Sequence, residues 1–98
     1  MGRNEAITSK RLDTTAVVTT ADAAGLLHGA TITAAAADAT LDLRDGGAAG
    51  TIKWSLHAKL EEGGNSISFA TPIIFATDIY ATITGTGAIA SIAYEEIE

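Results

Sequence analysis

The chain has 98 residues, 47% of them apolar, a formal net charge of −6 and no cysteine, so a single small domain is expected, with no disulfide framework or thiolate metal site. Two histidines rule out a zinc cluster built from His and Cys. The largest basic cluster is Lys10-Arg11, which sets the chain against nucleic acid and anionic membranes as partners. Much of the apolar fraction is alanine, which buries little area, so the core is expected to be thin and helped by association with other subunits.

Met1 to Glu5 is polar and reads as an arm. It lacks the apolar centre of a signal peptide, and no 18-residue apolar run exists for a membrane-spanning helix. Gly2 invites N-myristoylation, but Ala6 stands where Ser or Thr is wanted. A protein made in the cytosol with no address label is expected. Ala6 to Thr20, rich in Thr and Val with Lys10, Arg11 and Asp13 interspersed, reads as one or two edge strands, since charged side chains blunt edge pairing. Residues 1–20 thus form arm and edge, and 21–98 the body of one β domain.

After a glycine-closed turn at Ala21 to Gly25, Leu26 to Ala34 reads as a strand. The alanine run Ala34 to Ala37 favours helix by propensity but is short and flanked by β-rich sequence, so it reads as a connection. Thr40 to Arg44 alternates, with Leu41 and Leu43 inward. Asp45 to Gly50 breaks the pattern, and Thr51 to Leu60 then alternates for ten residues, with Ile52, Trp54, Leu56, Ala58 and Leu60 on one parity. Strand, Asp-Gly loop and strand is a hairpin signature, and Glu61 to Asn65 reads as a second turn of the same kind. Ser66 to Ala70 is a short strand. Pro72 opens a new segment, where its missing N–H is tolerated, and Ile73-Ile74-Phe75 is an apolar cluster. Asp78 to Thr84 and Ala88 to Tyr94 read as a last hairpin across Gly85-Thr86-Gly87. Seven or eight short strands at this spacing predict an all-β, antiparallel β-sandwich or jelly-roll-like fold.

Few residues offer chemistry. His57 falls on the polar face beside Lys53 and Lys59 and reads as a solvated sheet histidine; His28, next to Gly29, is placed at a strand end or subunit contact. Asp42, Asp45 and Asp78 lack the ligand spacing of an EF-hand, and Asp45-Gly46 is explained by turn chemistry. Gly85-Thr86-Gly87 has no following lysine and joins strands, so it is no phosphate loop. Trp54 shares parity with Ile52 and Leu56 and is assigned to the core rather than to sugar stacking. Tyr80 has the opposite parity to Ile79, Ala81 and Ile83 and is expected at the surface or an interface. No catalytic residue, cofactor or metal ligand is assigned.

The stretches Leu41-Asp42-Leu43-Arg44-Asp45-Gly46-Gly47-Ala48-Ala49-Gly50-Thr51-Ile52 and Phe75-Ala76-Thr77-Asp78-Ile79-Tyr80-Ala81-Thr82-Ile83-Thr84-Gly85-Thr86-Gly87-Ala88 together resemble small Thr/Ala/Gly-rich β proteins encoded among the virion genes of tailed bacteriophages. The likeness covers most of residues 26 to 94. It implies a non-enzymatic capsid decoration or cement subunit, located on the capsid exterior, bound to the major capsid protein and commonly trimeric. The contact residues expected from exposure and charge are Arg3, Lys10, Arg11 and Tyr80. The rival readings are a carbohydrate-binding or adsorption module, which would need more exposed aromatics than this chain has, and a tail or neck component of the virion.

Overall fold

Four antiparallel pairings are nested inside one another around a single hairpin. In the computed structural model, which describes residues 7–19, 23–61 and 63–96, the strands are β1 (Thr8–Leu12), β2 (Ala16–Val17), β3 (Gly25–Thr33), β4 (Ala39–Asp45), β5 (Thr51–Ala58), β6 (Gly64–Phe75), β7 (Tyr80–Thr84) and β8 (Ile89–Glu96). β4 pairs with β5, β3 with β6, β2 with β7 and β1 with β8, as if one long ribbon were folded at the β4–β5 turn. Two further pairings, β3·β8 and β4·β7, roll that ribbon into two four-stranded sheets, β1-β8-β3-β6 and β2-β7-β4-β5. This is jelly-roll topology in an all-β sandwich, as the strand count and spacing predict.

Among the described strands, only β4–β5 is a hairpin within one sheet. The turn at Glu61 to Asn65 and the segment Gly85-Thr86-Gly87 carry the chain from one sheet to the other, so the second and last hairpins expected from sequence are crossovers. Turn residues mark where a chain reverses; they do not mark which sheet it enters. Gly85 shows why this crossover needs glycine: its φ is +118°, and a Cβ there would lie 2.7 Å from the Asp38 carbonyl oxygen.

Three register breaks alter the predicted faces. Leu43 pairs with Trp54 but Arg44 pairs with Ile52, so Lys53 is an extra residue in β5. The bulge flips Ile52 to the outer face, where it is 44% exposed, although its parity in the sequence matches the buried Leu56. Leu60, at the other end of the alternation, lies beyond the strand and is exposed. In β3, His28 is the extra residue against β8, because Leu27 pairs with Tyr94 and Gly29 with Ala93. Against β6 the same point is wider still: Leu27 pairs with Ile73 and Gly29 with Ser68, leaving Phe69 to Pro72 arched off the ladder. Pro72 therefore sits inside one 12-residue edge strand rather than opening a new one. A proline is tolerated there because it lies at an edge and in a bulge.

The core is built by alternation. Leu27, Ala30 and Ile32 of β3, Leu41 and Leu43 of β4, Phe75 of β6 and Ala90 and Ile92 of β8 are all buried between the sheets. Of the 17 buried apolar residues described, seven are alanine, so Phe75, Leu27, Ile32, Leu41, Leu43, Ile79 and Ile92 supply most of the large buried side chains. Trp54 is half-buried and packs on this core, edge-to-face against Phe69 at 4.9 Å between ring centroids and 89° between planes. These two rings, from edge strands of opposite sheets, close one side of the sandwich. The alanine run at residues 34–37 is an irregular connection without helix.

All four sheet edges are blunted. β1 carries Lys10 and Arg11, β2 has two residues, β5 is bulged at Lys53, and β6 contains Pro72 and its arch. Such edges resist pairing with another chain, which leaves the sheet faces as the regular surfaces open to association.

Candidate functional site

At one end of the sandwich two aspartates hold each other's loops. Asp45 ends β4, and its carboxylate accepts hydrogen bonds from the backbone N–H of Ala76 (2.9 Å) and Thr77 (2.8 Å) in the β6–β7 crossover. Asp78, from that crossover, accepts in turn from the N–H of Gly46 (3.1 Å) and Gly47 (3.0 Å) in the β4–β5 turn. Gly46 and Gly47 both have positive φ, and this lets their consecutive N–H groups converge on one oxygen. Burial pushes the Asp45 carboxyl up, but the N–H groups of Thr77, Ala76 and Asp78 and the nearby Lys53 charge outweigh it and hold the pKa below its ordinary 3.8. The bulged Lys53 is exposed, as its parity predicts, and reaches over to the β6 edge. It donates to the Ile74 carbonyl at 2.7 Å, sits 3.9 Å from Asp45 and lies over the Phe75 ring at 5.7 Å from its centroid. Nearby, the Thr19 hydroxyl accepts from the Ile79 N–H at 3.2 Å.

Other polar side chains are engaged in the same way. Asp42 accepts from Ser55 at 2.7 Å, Asp38 from the Leu60 N–H at 2.9 Å, and Arg44 donates to the Gly50 carbonyl and to Thr82. The three aspartates weighed as metal ligands thus each hold part of the chain itself, and among the described residues no three His, Asp or Glu side chains are grouped to hold a metal ion.

The outer face of the β1-β8-β3-β6 sheet is arranged differently. Residues that pair across all four strands form rows, and one row reads Ser9, Ala93, Gly29, Ser68 and the next Arg11, Ser91, Thr31, Ser66. Apart from Arg11 their side chains are small, and they leave a shallow trough of about 170 Å³. On one side of it, beyond the His28 bulge, the register of Thr8 with Tyr94 places Ile7 opposite Glu95, which pairs with Leu26, which pairs with Ile74. Ile7 is 57% and Ile74 60% exposed, the two most exposed large apolar residues described. His28 Nε2 lies 3.2 Å from Glu95 Oε1, so the histidine stands mid-strand beside this row rather than at a strand end.

The contact residues expected from sequence scatter over this frame. Arg3 lies outside the described residues. Lys10 is exposed on β1 and reaches back to donate to the Val18 carbonyl at 3.3 Å. Arg11 is exposed beside the trough, in the row of Ser91 and Thr31. Tyr80 is half-buried rather than exposed: it lies on the outer face of the other sheet, flanked by Val17 on β2 and Arg44 on β4. Trp54 faces the core as predicted, but its indole Nε1 is buried without an acceptor. His57 is exposed, 3.4 Å from the Thr40 hydroxyl. Sequence reasoning missed Ile7, Ile74 and Glu95 as neighbours. Ile73-Ile74-Phe75 reads as one apolar cluster, yet strand alternation half-buries Ile73, buries Phe75 and turns Ile74 outward; that alternation was the available signal.

No protein-family model and no curated protein sequence matches this chain. A solved structure described as "Bacillus endospore appendages form a novel family of disulfide-linked pili" contains a chain to which this one is similar over its whole length and over 96% of that chain. The identity is 13% and the TM-score 0.48, a level at which the likeness carries no argument about fold or function.

Proposed function

We propose that this chain is a non-enzymatic structural subunit of a virion, a decoration or cement protein that binds the capsid exterior through the major capsid protein and associates with further copies of itself. The observation that carries the reading is the use made of its polar side chains. Asp38, Asp45, Asp78, Arg44, Lys53 and Thr19 are bonded to the chain's own backbone and lace both ends of the sandwich. A module stapled in that way is suited to bearing load and presenting rigid faces. The jelly roll is also a fold that capsid proteins use, although the same fold serves lectins, so topology by itself assigns no function. The specific form, a subunit on a phage head, comes from the resemblance of residues 41–52 and 75–88 to virion proteins. Repetition over a symmetric shell turns modest single contacts into firm attachment.

The test is co-sedimentation of the purified chain with capsids of the virus that encodes it, prepared without the chain. Saturable binding, with raised resistance of those capsids to heat, is the expected result. A folded chain that stays in the supernatant at all concentrations would overturn the reading.

A further inference from the structure

We infer that the outer face of the β1-β8-β3-β6 sheet is a self-association surface, occupied by the same face of a second copy of this chain across a two-fold axis. This rests on the faces and rows described above and deepens the self-association part of the proposed function. It does not depend on the capsid part.

The first argument is shape. The face has a raised row, Ile7, Glu95, Leu26 and Ile74, and beside it a trough floored by Ala93, Gly29 and Ser91. A two-fold axis running across the strands at the level of His28 exchanges the two features: the raised row of each copy enters the trough of the other. Isologous interfaces are self-complementary in this sense. Small side chains in the trough let the second sheet approach closely, and Ile7 and Ile74 lose the exposure that makes them exceptional here.

The second argument is charge. The same axis keeps β1 over β1 and inverts the row order, so Arg11 at the far side of the trough comes over the row that contains Glu95 of the second copy. Arg11 is exposed, and no hydrogen bond or ion pair holds it among the described residues. Glu95 has one oxygen facing His28 and a second to offer. Two such Arg11–Glu95 contacts form per dimer, on opposite sides of the axis, and they select this register over a shifted one. The third argument is the edges: all four are blunted, so a second copy is directed to a face.

The size of the face sets the strength. Four strands about 4.8 Å apart and about seven residues at about 3.4 Å give a flat face of roughly 450 Å² per copy. Two copies bury roughly 900 Å² by this measure, below the range of about 1,200–2,000 Å² for stable interfaces, so the dimer is weak and concentration-dependent. Dense display on a shell is where such a contact acts.

Sedimentation equilibrium of the full chain from about 10 μM to about 1 mM, at about 0.15 M salt, tests this. The expected result is a monomer–dimer equilibrium that Ile74→Glu and Ala93→Arg each weaken at least about tenfold, with circular dichroism unchanged. Arg11→Glu and Glu95→Lys each weaken it, and the double variant recovers association to within about threefold of wild type. Ile74 and Arg11 are solvent-exposed, so those two variants retain the fold and keep the test informative even where Ala93→Arg does not. A monomer throughout, a three-fold complex such as the virion resemblance implies, or a dimer indifferent to Ile74→Glu and Arg11→Glu would each overturn the inference. Loss of capsid binding with this equilibrium intact would overturn the capsid reading alone.

Discussion

Replacing Asp45 by alanine removes one half of the reciprocal clamp, and the cost should depend on pH in a defined way. The carboxylate accepts from the Ala76 and Thr77 N–H groups at 2.9 and 2.8 Å, with Lys53 at 3.9 Å. Hydrogen bonds to a charged acceptor contribute about 1.5–3 kcal/mol each, but Ala76 and Thr77 are exposed and their freed donors reach water, so the net loss is about 2 kcal/mol. The Lys53 contact is long and partly exposed and adds at most about 0.5 kcal/mol. At about 4–8 °C per kcal/mol for a domain of this size, the thermal midpoint falls by about 8–16 °C near neutral pH. The folded carboxyl titrates below its ordinary 3.8, so the unfolded chain takes up a proton first as pH falls. Its stabilisation is therefore complete above about pH 5, shrinks as pH drops through 3.8 and is gone below the folded-state value. Urea unfolding of wild type and Asp45→Ala from pH 7 down to the lowest pH with a native baseline measures this difference. A gap that stays constant with pH, or one below about 0.5 kcal/mol at pH 7, would refute the reasoning.

Gly85→Ala should destabilise the fold by at least about 2 kcal/mol in denaturant melts, because φ is +118° and the new methyl meets the Asp38 carbonyl oxygen at 2.7 Å. Trp54→Phe should change stability by less than about 1 kcal/mol, since it keeps a ring against Phe69 while removing a buried N–H that lacks an acceptor; Trp54→Ala, which removes the ring, should cost about 3 kcal/mol. The Tyr94 phenol, raised by burial and by the Glu96 charge, should ionise above its ordinary 10.0 in the native protein. Its contribution is complete below pH 10 and is lost as pH rises through the folded-state value, because the unfolded chain ionises first. Wild type and Tyr94→Phe should therefore diverge in their stability trend only above about pH 10.

The legible and the hidden parts of this fold divide at Lys53. In β4 the alternation of Leu41 and Leu43 against Asp42 and Arg44 assigns faces correctly, and beyond Lys53 Leu56 and Ala58 are buried as their parity predicts, whereas Ile52, just before it, is turned outward. A bulge has no local signature here: Lys53 is one more polar residue in an alternating run, and only its pairing with β4 reveals it as unpartnered. His28 and Pro72 tell the same story, a titratable group and an imino acid whose positions are explained by what lies across the ladder. The contact residues expected from charge fared unevenly. Arg11 borders the face we assign to self-association, Lys10 turns back to its own chain, and Tyr80 is half-covered by its neighbours.

Sequence alone marks most of the strands and the parity of their apolar residues, because a strand's faces follow from neighbours two residues apart. Tertiary structure decides the rest. Whether a turn closes a hairpin or crosses between sheets depends on pairings such as Thr31 with Ser91 and Leu12 with Ala90, which join residues far apart in the chain. The row Ile7, Glu95, Leu26, Ile74 exists only once β1, β8, β3 and β6 lie side by side in register. A surface assembled from four separate strands leaves no contiguous mark in the sequence, since each strand contributes only one residue to each row.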